Sequence, residues 1–176
     1  MDDKILHEGK EYVRQNDKWI DSNYYVAPDS VQRELNYKYF SAIDLTGLNV
    51  DELVSVGDGY KNSSTPNLAV RCYKEALKRC NDQTVRYILP RLTSCLRKQG
   101  KAAEVVLTFK EMRKKWGNRM LSPAALTSVA AAYCDLGEYE NAKKCCDMAY
   151  SMSNGSASGE LKSVYGRIKK ESKLFG

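Results

Sequence analysis

Between residues 123 and 149, apolar and small side chains recur at intervals of three and four positions, the spacing of one helix face. The first stripe consists of Leu126, Val129, Ala130 and Tyr133, and the second consists of Ala142, Cys146 and Ala149. Ser122 and Pro123 predict where the first helix begins, because serine caps helices and proline suits their first turn. Gly137 predicts its end, because the chain reversal requires positive φ. This region therefore predicts two helices joined by a glycine turn.

The same pattern occurs twice upstream, so the chain contains an internal repeat. In the second copy, Leu89, Leu92, Thr93 and Leu96 are followed by Gly100 and then by Val105, Phe109 and Met112. In the first copy, Leu53, Val56, Gly57 and Tyr60 are followed by the turn Ser63-Ser64-Thr65-Pro66 and then by Ala69, Tyr73 and Ala76. The copies begin near residues 50, 86 and 123, at spacings of 36 and 37. A period in this range is typical of stacked helical hairpins.

With these motifs, the chain resembles the tetratricopeptide-repeat (TPR) family, whose repeat is about 34 residues long. The resemblance covers residues 50–156, with repeats at about 50–83, 86–119 and 123–156. It implies an all-α fold, an α-α superhelix of about three hairpins in which the first helix of each repeat lines the concave face. Pro90 falls inside the first helix of the second repeat and predicts a kink there.

The resemblance also implies a function, a non-enzymatic scaffold or adaptor that binds a peptide or partner protein on the concave face. The groove residues that it implies are Val54, Asp58, Lys61, Tyr87, Ser94, Arg97, Lys98, Thr127 and Ala131. One subgroup of the family holds the C-terminal carboxylates of partners with Lys, Asn and Arg at fixed groove positions. Here those positions are Val54, Asp58, Arg91, Ala124 and Ser128, so that clamp is absent.

Two segments flank the repeats. In residues 157–176, the stripe Leu161, Val164, Tyr165 and Ile168 predicts a C-terminal capping helix after a turn-rich connector. Residues 1–49 are rich in aromatic side chains and are expected to be partly helical. Asp29-Ser-Val-Gln32 resembles a capping box and predicts a helix over about 30–41. A shorter helix is expected near 4–15, with residues 16–28 extended or looped. We interpret residues 1–49 as a cap on the first repeat or, alternatively, as a docking segment.

The positive charge is concentrated in the second repeat. The chain carries a net charge of +6, and residues 84–121 contain ten Lys and Arg residues against only two glutamates. Such a concentration favours an alternative function, nucleic-acid or other polyanion binding. The candidate patch comprises Arg86, Arg91, Arg97, Lys98, Lys101, Arg113, Lys114 and Lys115. Lysine and arginine also decorate the solvated faces of helical arrays, so this pattern alone does not decide between the two functions.

Catalysis, cofactors and metals find little support in the residues. The chain has one histidine, His7, no Cys-x-x-Cys pair and no phosphate-binding glycine loop, so we expect no catalytic residues, no metal site and no cofactor. The six cysteines are expected to be small buried apolar side chains. No apolar run approaches the length of a membrane span, and no signal peptide is visible. We therefore expect a cytoplasmic protein that does not bind membranes; its oligomeric state stays open.

Overall fold

The chain is mostly helical, with one small sheet near its beginning. The computed structural model describes residues 4–16, 18–42, 44–61 and 66–172. It divides the chain into two compact units, Met1–Cys72 and Tyr73–Gly176. The all-α prediction is therefore confirmed as a broad class, and the sheet is the exception to it. Within the described residues, no helix is both long enough and apolar enough to cross a bilayer.

The first unit begins with three short antiparallel strands, β1 (Lys4–His7), β2 (Lys10–Gln15) and β3 (Lys18–Asp21), in the order β1-β2-β3. The predicted helix near 4–15 is therefore wrong. Glu8 and Gly9 reverse the chain with φ of 49° and 77°. Two positive φ values in succession are the geometry of a two-residue hairpin turn, which the chain could not adopt inside a helix. Ile5 and Tyr12, both within the range of that predicted helix, are paired across β1 and β2.

The predicted helix over about 30–41 is confirmed as α1 (Asp29–Ser41). The strands bury Trp19 against this helix. Trp19 is fully buried, and its indole Nε1 donates to Asn36 Oδ1 at 2.9 Å. The predicted capping box is wrong, because the Gln32 side chain bonds to the backbone of Trp19 instead. Gln32 Oε1 accepts from the Trp19 N–H at 2.9 Å, and Gln32 Nε2 donates to the Trp19 carbonyl at 2.7 Å.

Helices α2 (Val50–Lys61) and α3 (Pro66–Arg79) follow. Helix α2 begins with a capping box that was not predicted from the sequence: the Asn49 N–H donates to Glu52 Oε2 at 2.7 Å, and the Glu52 N–H donates to Asn49 Oδ1 at 3.0 Å. Most of the turn predicted at Ser63-Ser64-Thr65-Pro66 lies outside the described residues, which resume at Pro66. Helix α3 begins in the first unit and ends in the second.

The second unit contains α4 (Val85–Lys98), α5 (Ala102–Trp116), α6 (Pro123–Asp135), α7 (Tyr139–Met152) and α8 (Gly159–Ser172). A short 3-10 turn, Gly117–Met120, links α5 to the segment before α6. Helix α6 packs against α4, α5, α7 and α8, and every residue from Ala125 to Cys134 is buried. Alanine at four of these ten positions allows the neighbouring helices to approach closely on all sides.

Helices α4 and α6 end with the same hydrogen-bonded turn. Gly100 and Gly137 have φ of 71° and 76°, so the prediction of positive φ at Gly137 is confirmed. The Gly100 N–H donates to Arg97 O at 2.9 Å, and the Gly137 N–H donates to Cys134 O at 3.1 Å. In both turns the next residue donates to a carbonyl five positions back. This pattern satisfies helix carbonyls that would otherwise lack donors.

Proline within α4 is accommodated by a bond from the start of α6. Helix α4 continues through Pro90, which has no N–H to donate to the carbonyl of Arg86 four residues earlier. The hydroxyl of Ser122 donates to that carbonyl at 3.2 Å. Ser122 Oγ also accepts from the Ala125 N–H at 3.2 Å, so the predicted N-cap at Ser122 is confirmed. One serine thus caps α6 and replaces a missing donor in α4. A kink at Pro90 stays a prediction.

Candidate protein-binding surface

Helix α4 carries a row of half-buried side chains, Tyr87, Arg91, Ser94 and Arg97, at intervals of three and four residues. The guanidinium of Arg91 lies 5.8 Å from the centroid of the Tyr87 ring, within cation–π range. Arg91 Nη1 also donates to the Tyr87 carbonyl at 2.9 Å. The two side chains therefore hold each other in one arrangement that presents an aromatic and a planar cationic group.

The predicted groove residues of α6 are covered rather than open. Thr127 is 3% exposed, and its hydroxyl donates to the Pro123 carbonyl at 2.8 Å. Ala131 is 1% exposed. At the next position of α6, Ser128 Oγ is buried and has no hydrogen-bond partner among the described residues. The face of α6 that was predicted to line a groove lies beneath other helices of the unit.

Three predicted groove residues lie in the first unit, on α2. Val54 is buried, whereas Asp58 and Lys61 are half-buried. These three residues belong to the first unit, and the predicted groove residues of α4 and α6 belong to the second. The nine predicted groove residues are therefore divided between the two units.

Arg97, a residue of the predicted groove, makes ionic contacts with two acidic side chains. Its Nη1 lies 3.0 Å from Glu160 Oε1 on α8, and its Nε lies 3.5 Å from Asp135 Oδ2 on α6. Asp135 also accepts from Arg167 Nη2 at 2.7 Å. These four alternating charges connect three helices. The positive charge of Arg97 is thereby largely matched, which reduces its capacity to attract a polyanion.

Two residues of the predicted basic patch, Arg113 and Lys115, are exposed on α5. Burial raises the pKa of the Cys145 thiol to about 11, and the positive charge of Arg113 opposes that shift. Burial also raises the pKa of the Cys80 thiol, and the positive charge of Lys115 opposes that shift. Lys115 Nζ also lies 4.9 Å from the centroid of the Trp116 ring.

The remaining residues of the patch differ in exposure. The exposed members are Arg86, Lys98, Lys101 and Lys114. Arg91 and Arg97 are half-buried and make the contacts described above. With Arg113 and Lys115, six of the eight predicted residues are therefore exposed.

A pocket of about 410 Å³ between α3, α4 and α5 was not identified from the sequence. Leu77 and Leu92 are buried in its wall, and Leu107 is 60% exposed at its edge. An ion pair between Lys74 and Glu104 bridges α3 and α5 at the rim. The signal that could have revealed this pocket is Leu107, which lies off the apolar stripe of α5, on a side where a polar residue is expected.

The cysteines are buried thiols. Burial raises the pKa of Cys72 to about 11 and that of Cys146 to about 12, so both are protonated at neutral pH. In the part of the chain that the structure describes, no three His, Cys, Asp or Glu side chains are grouped so that they could hold a metal ion. No model of a protein family and no curated protein matches this sequence. The functional interpretation therefore depends on the surfaces described above.

Proposed function

We propose that the protein is a non-enzymatic scaffold of the TPR type that binds a protein or peptide partner. In this proposal, α4 with α5 and α6 with α7 form two hairpins of a superhelix, α8 caps them, and α2 with α3 supplies the remaining hairpin. The packing of α6 against both helices of the preceding hairpin supports this arrangement, because stacked repeats contact their neighbours in that way. The identical turns at Gly100 and Gly137, 37 residues apart, also support a structural repeat.

The observation that carries the proposal is the Tyr87–Arg91 pair on α4. Both side chains are half-exposed, and each is held by the other, so a partner that binds them need not immobilise two flexible groups. Tyrosine and arginine are the side chains that, with tryptophan, most often dominate the affinity of protein interfaces. An extended peptide or a helix that lies along α4 would contact this pair and then Ser94.

Polyanion binding is the alternative function: six of the eight predicted basic residues are exposed, but Arg97 is paired with Asp135 and Glu160. The two functions nevertheless predict different behaviour on purification. A nucleic-acid complex is lost on nuclease treatment and weakens steeply with salt, because binding releases counterions from phosphates. A protein partner held by Tyr87 and Arg91 survives nuclease and moderate salt.

Affinity purification from the native host, with nuclease treatment and mass spectrometry, tests the proposal. We expect Tyr87→Ala to reduce the recovery of the partner, with a loss of affinity of about 10- to 30-fold, the typical effect of removing an aromatic interface anchor. Lys144→Ala is the matched control, since Lys144 is exposed on α7. If nuclease and salt remove all copurifying material, or if Tyr87→Ala and Lys144→Ala recover the same partner equally, the proposal is wrong.

A further inference from the structure

The pocket between α3, α4 and α5 combines an apolar wall with an exposed leucine at its edge. Its volume of about 410 Å³ falls in the range of small-molecule sites, about 300–1,000 Å³. Leu77 and Leu92 are buried in its wall, whereas Leu107 is 60% exposed. All the residues that line it belong to the second unit. The pocket therefore offers apolar surface to a ligand, and burial of that surface favours binding.

The pocket follows one face of α5. The residues that α5 contributes have the spacing of one helix face: Glu104, Leu107, Thr108, Glu111, Met112 and Lys115. Glu104 and Lys115 are eleven residues apart, which is about 16 Å along a helix axis. An apolar site of this length, with charged residues at both ends, suits a linear aliphatic chain that ends in a charged group.

Ion pairs account for part of the charge around the pocket. Lys74 is paired with Glu104 across α3 and α5, so these two charges cancel. Lys78 shares a carboxylate with Arg79: Lys78 Nζ lies 2.8 Å from Glu75 Oε2, and Arg79 Nη2 lies 2.7 Å from Glu75 Oε1. One carboxylate between two cations leaves a net positive charge beside the pocket.

Lys115 adds a second positive charge. Its Nζ lies 4.9 Å from the centroid of the Trp116 ring, a contact that attracts the ammonium group without neutralising it. Glu111, one turn earlier on α5, is the remaining carboxylate among the described residues that line the pocket. Because Lys78 and Lys115 together outweigh Glu111, an anion is favoured over a cation beside the apolar wall.

From these observations we propose that the pocket binds a small amphiphilic carboxylate, a linear aliphatic chain with one carboxylate at its end. The aliphatic chain packs along Leu77, Leu92 and Leu107, and the carboxylate lies beside Lys78 and Lys115. The site does not depend on the scaffold function, because neither Tyr87 nor Arg91 lines the pocket.

Decanoate, titrated into the full chain and followed by heteronuclear NMR, tests this inference. We expect saturable shifts of the backbone amides of Leu77, Leu107 and Thr108, which line the pocket. Decyltrimethylammonium is the matched ligand, because it has the same alkyl length and the opposite charge. We expect it to bind about tenfold more weakly, since Lys78 and Lys115 repel it.

Two variants test the charged and the apolar contact separately. Lys115→Glu should weaken decanoate binding about fivefold, because attraction at an exposed position becomes repulsion. Lys114→Glu is its control, since Lys114 is exposed on the same helix but does not line the pocket. Leu107→Gln should weaken binding about threefold by removing apolar contact. Its control is Met152→Gln, which changes another exposed apolar side chain, on α7.

Three results would overturn the proposal: no saturable shifts at the pocket amides, equal affinity for the two amphiphiles, or equal effects of Lys115→Glu and Lys114→Glu on decanoate binding. Should Leu107→Gln disturb amides throughout the unit, Lys115→Glu decides the matter alone, because its side chain is exposed. Loss of the partner in the Tyr87→Ala experiment has no bearing on these outcomes.

Discussion

Ser122 should contribute more to the free energy of unfolding than an ordinary helix cap does, because its hydroxyl acts in two helices at once. It accepts from the Ala125 N–H and donates to the Arg86 carbonyl, whose usual helical donor is missing at Pro90. Loss of a serine cap costs about 1 kcal/mol. Loss of one hydrogen bond to a backbone carbonyl adds about 0.5–1.5 kcal/mol. Ser122→Ala should therefore lower the free energy of unfolding by about 2 kcal/mol in total.

Pro90→Ala separates the two contributions. Alanine restores an N–H that can donate to the Arg86 carbonyl, so the hydroxyl of Ser122 is no longer needed there. In the Pro90→Ala chain we expect Ser122→Ala to cost only the cap, about 1 kcal/mol. The coupling energy between the two positions is then about 1 kcal/mol, which a double-mutant cycle resolves. Pro90→Ala alone should stabilise the chain, because proline is unfavourable inside a helix.

Urea unfolding followed by far-UV circular dichroism measures the four free energies of the cycle. Ser158→Ala is the control for capping, because the Ser158 hydroxyl accepts from the Leu161 N–H at the start of α8, also at 3.2 Å. A coupling energy near zero, with Ser122→Ala equally costly in both backgrounds, would refute the idea that Ser122 substitutes for the missing donor of Pro90.

Three further predictions concern single sites. Gly137→Ala and Gly166→Ala both add a methyl group into open space, but only Gly137 has a positive φ, of 76°. In thermal melting we therefore expect Gly137→Ala to destabilise the chain and Gly166→Ala to stabilise it, each by about 1 kcal/mol. Two effects of the same sign would contradict this expectation. The hydrogen bond from Tyr165, with help from Lys143, holds the pKa of the Asp147 carboxyl below its usual range, so its contribution to stability is present above about pH 4 and is lost as the pH falls through the lowered pKa. The difference in melting temperature between the original chain and Asp147→Asn should thus shrink to zero on acidification, and a constant difference would exclude this role. Burial raises the pKa of Cys146 to about 12, so iodoacetamide should label this thiol slowly at pH 8 in the folded chain and rapidly in urea. Peptide mass spectrometry measures the labelling. Rapid labelling of the folded chain would contradict the burial of Cys146.

Local signals in the sequence were reliable where one residue type has one physical use. Ser122 before Pro123 predicted a helix start, and Gly137 predicted a residue with positive φ, as the structure shows. Gln32 illustrates the limit of such signals. Its spacing from Asp29 fits a capping box, but its amide bonds to the backbone of Trp19, a residue thirteen positions earlier. A local motif competes with distant partners, and the sequence does not say which partner lies closer.

The first strands show the same limit for periodicity. Ile5, Leu6, Tyr12 and Val13 satisfy a helical spacing, yet Ile5 faces Tyr12 and Leu6 faces Glu11 across a two-residue turn. Short apolar segments fit both helix and strand, and burial of Trp19 against α1 favours the sheet. Whether the predicted groove residues are exposed depends even more on contacts between residues far apart in the sequence. Thr127 and Ala131 lie on the expected helix, but other helices cover them.

The sequence by itself determined the helical class, the positions of the turns at Gly100 and Gly137, and the burial of the cysteines, because these depend on spacing within one or two helices. Only the tertiary structure decided which side chains meet. It paired Arg97 with Asp135 and Glu160, gave the Arg86 carbonyl a donor from Ser122, and packed α8 against α6. Contacts between residues 36 or 63 positions apart depend on how whole helices pack, and packing is a property of the assembled unit rather than of any local pattern.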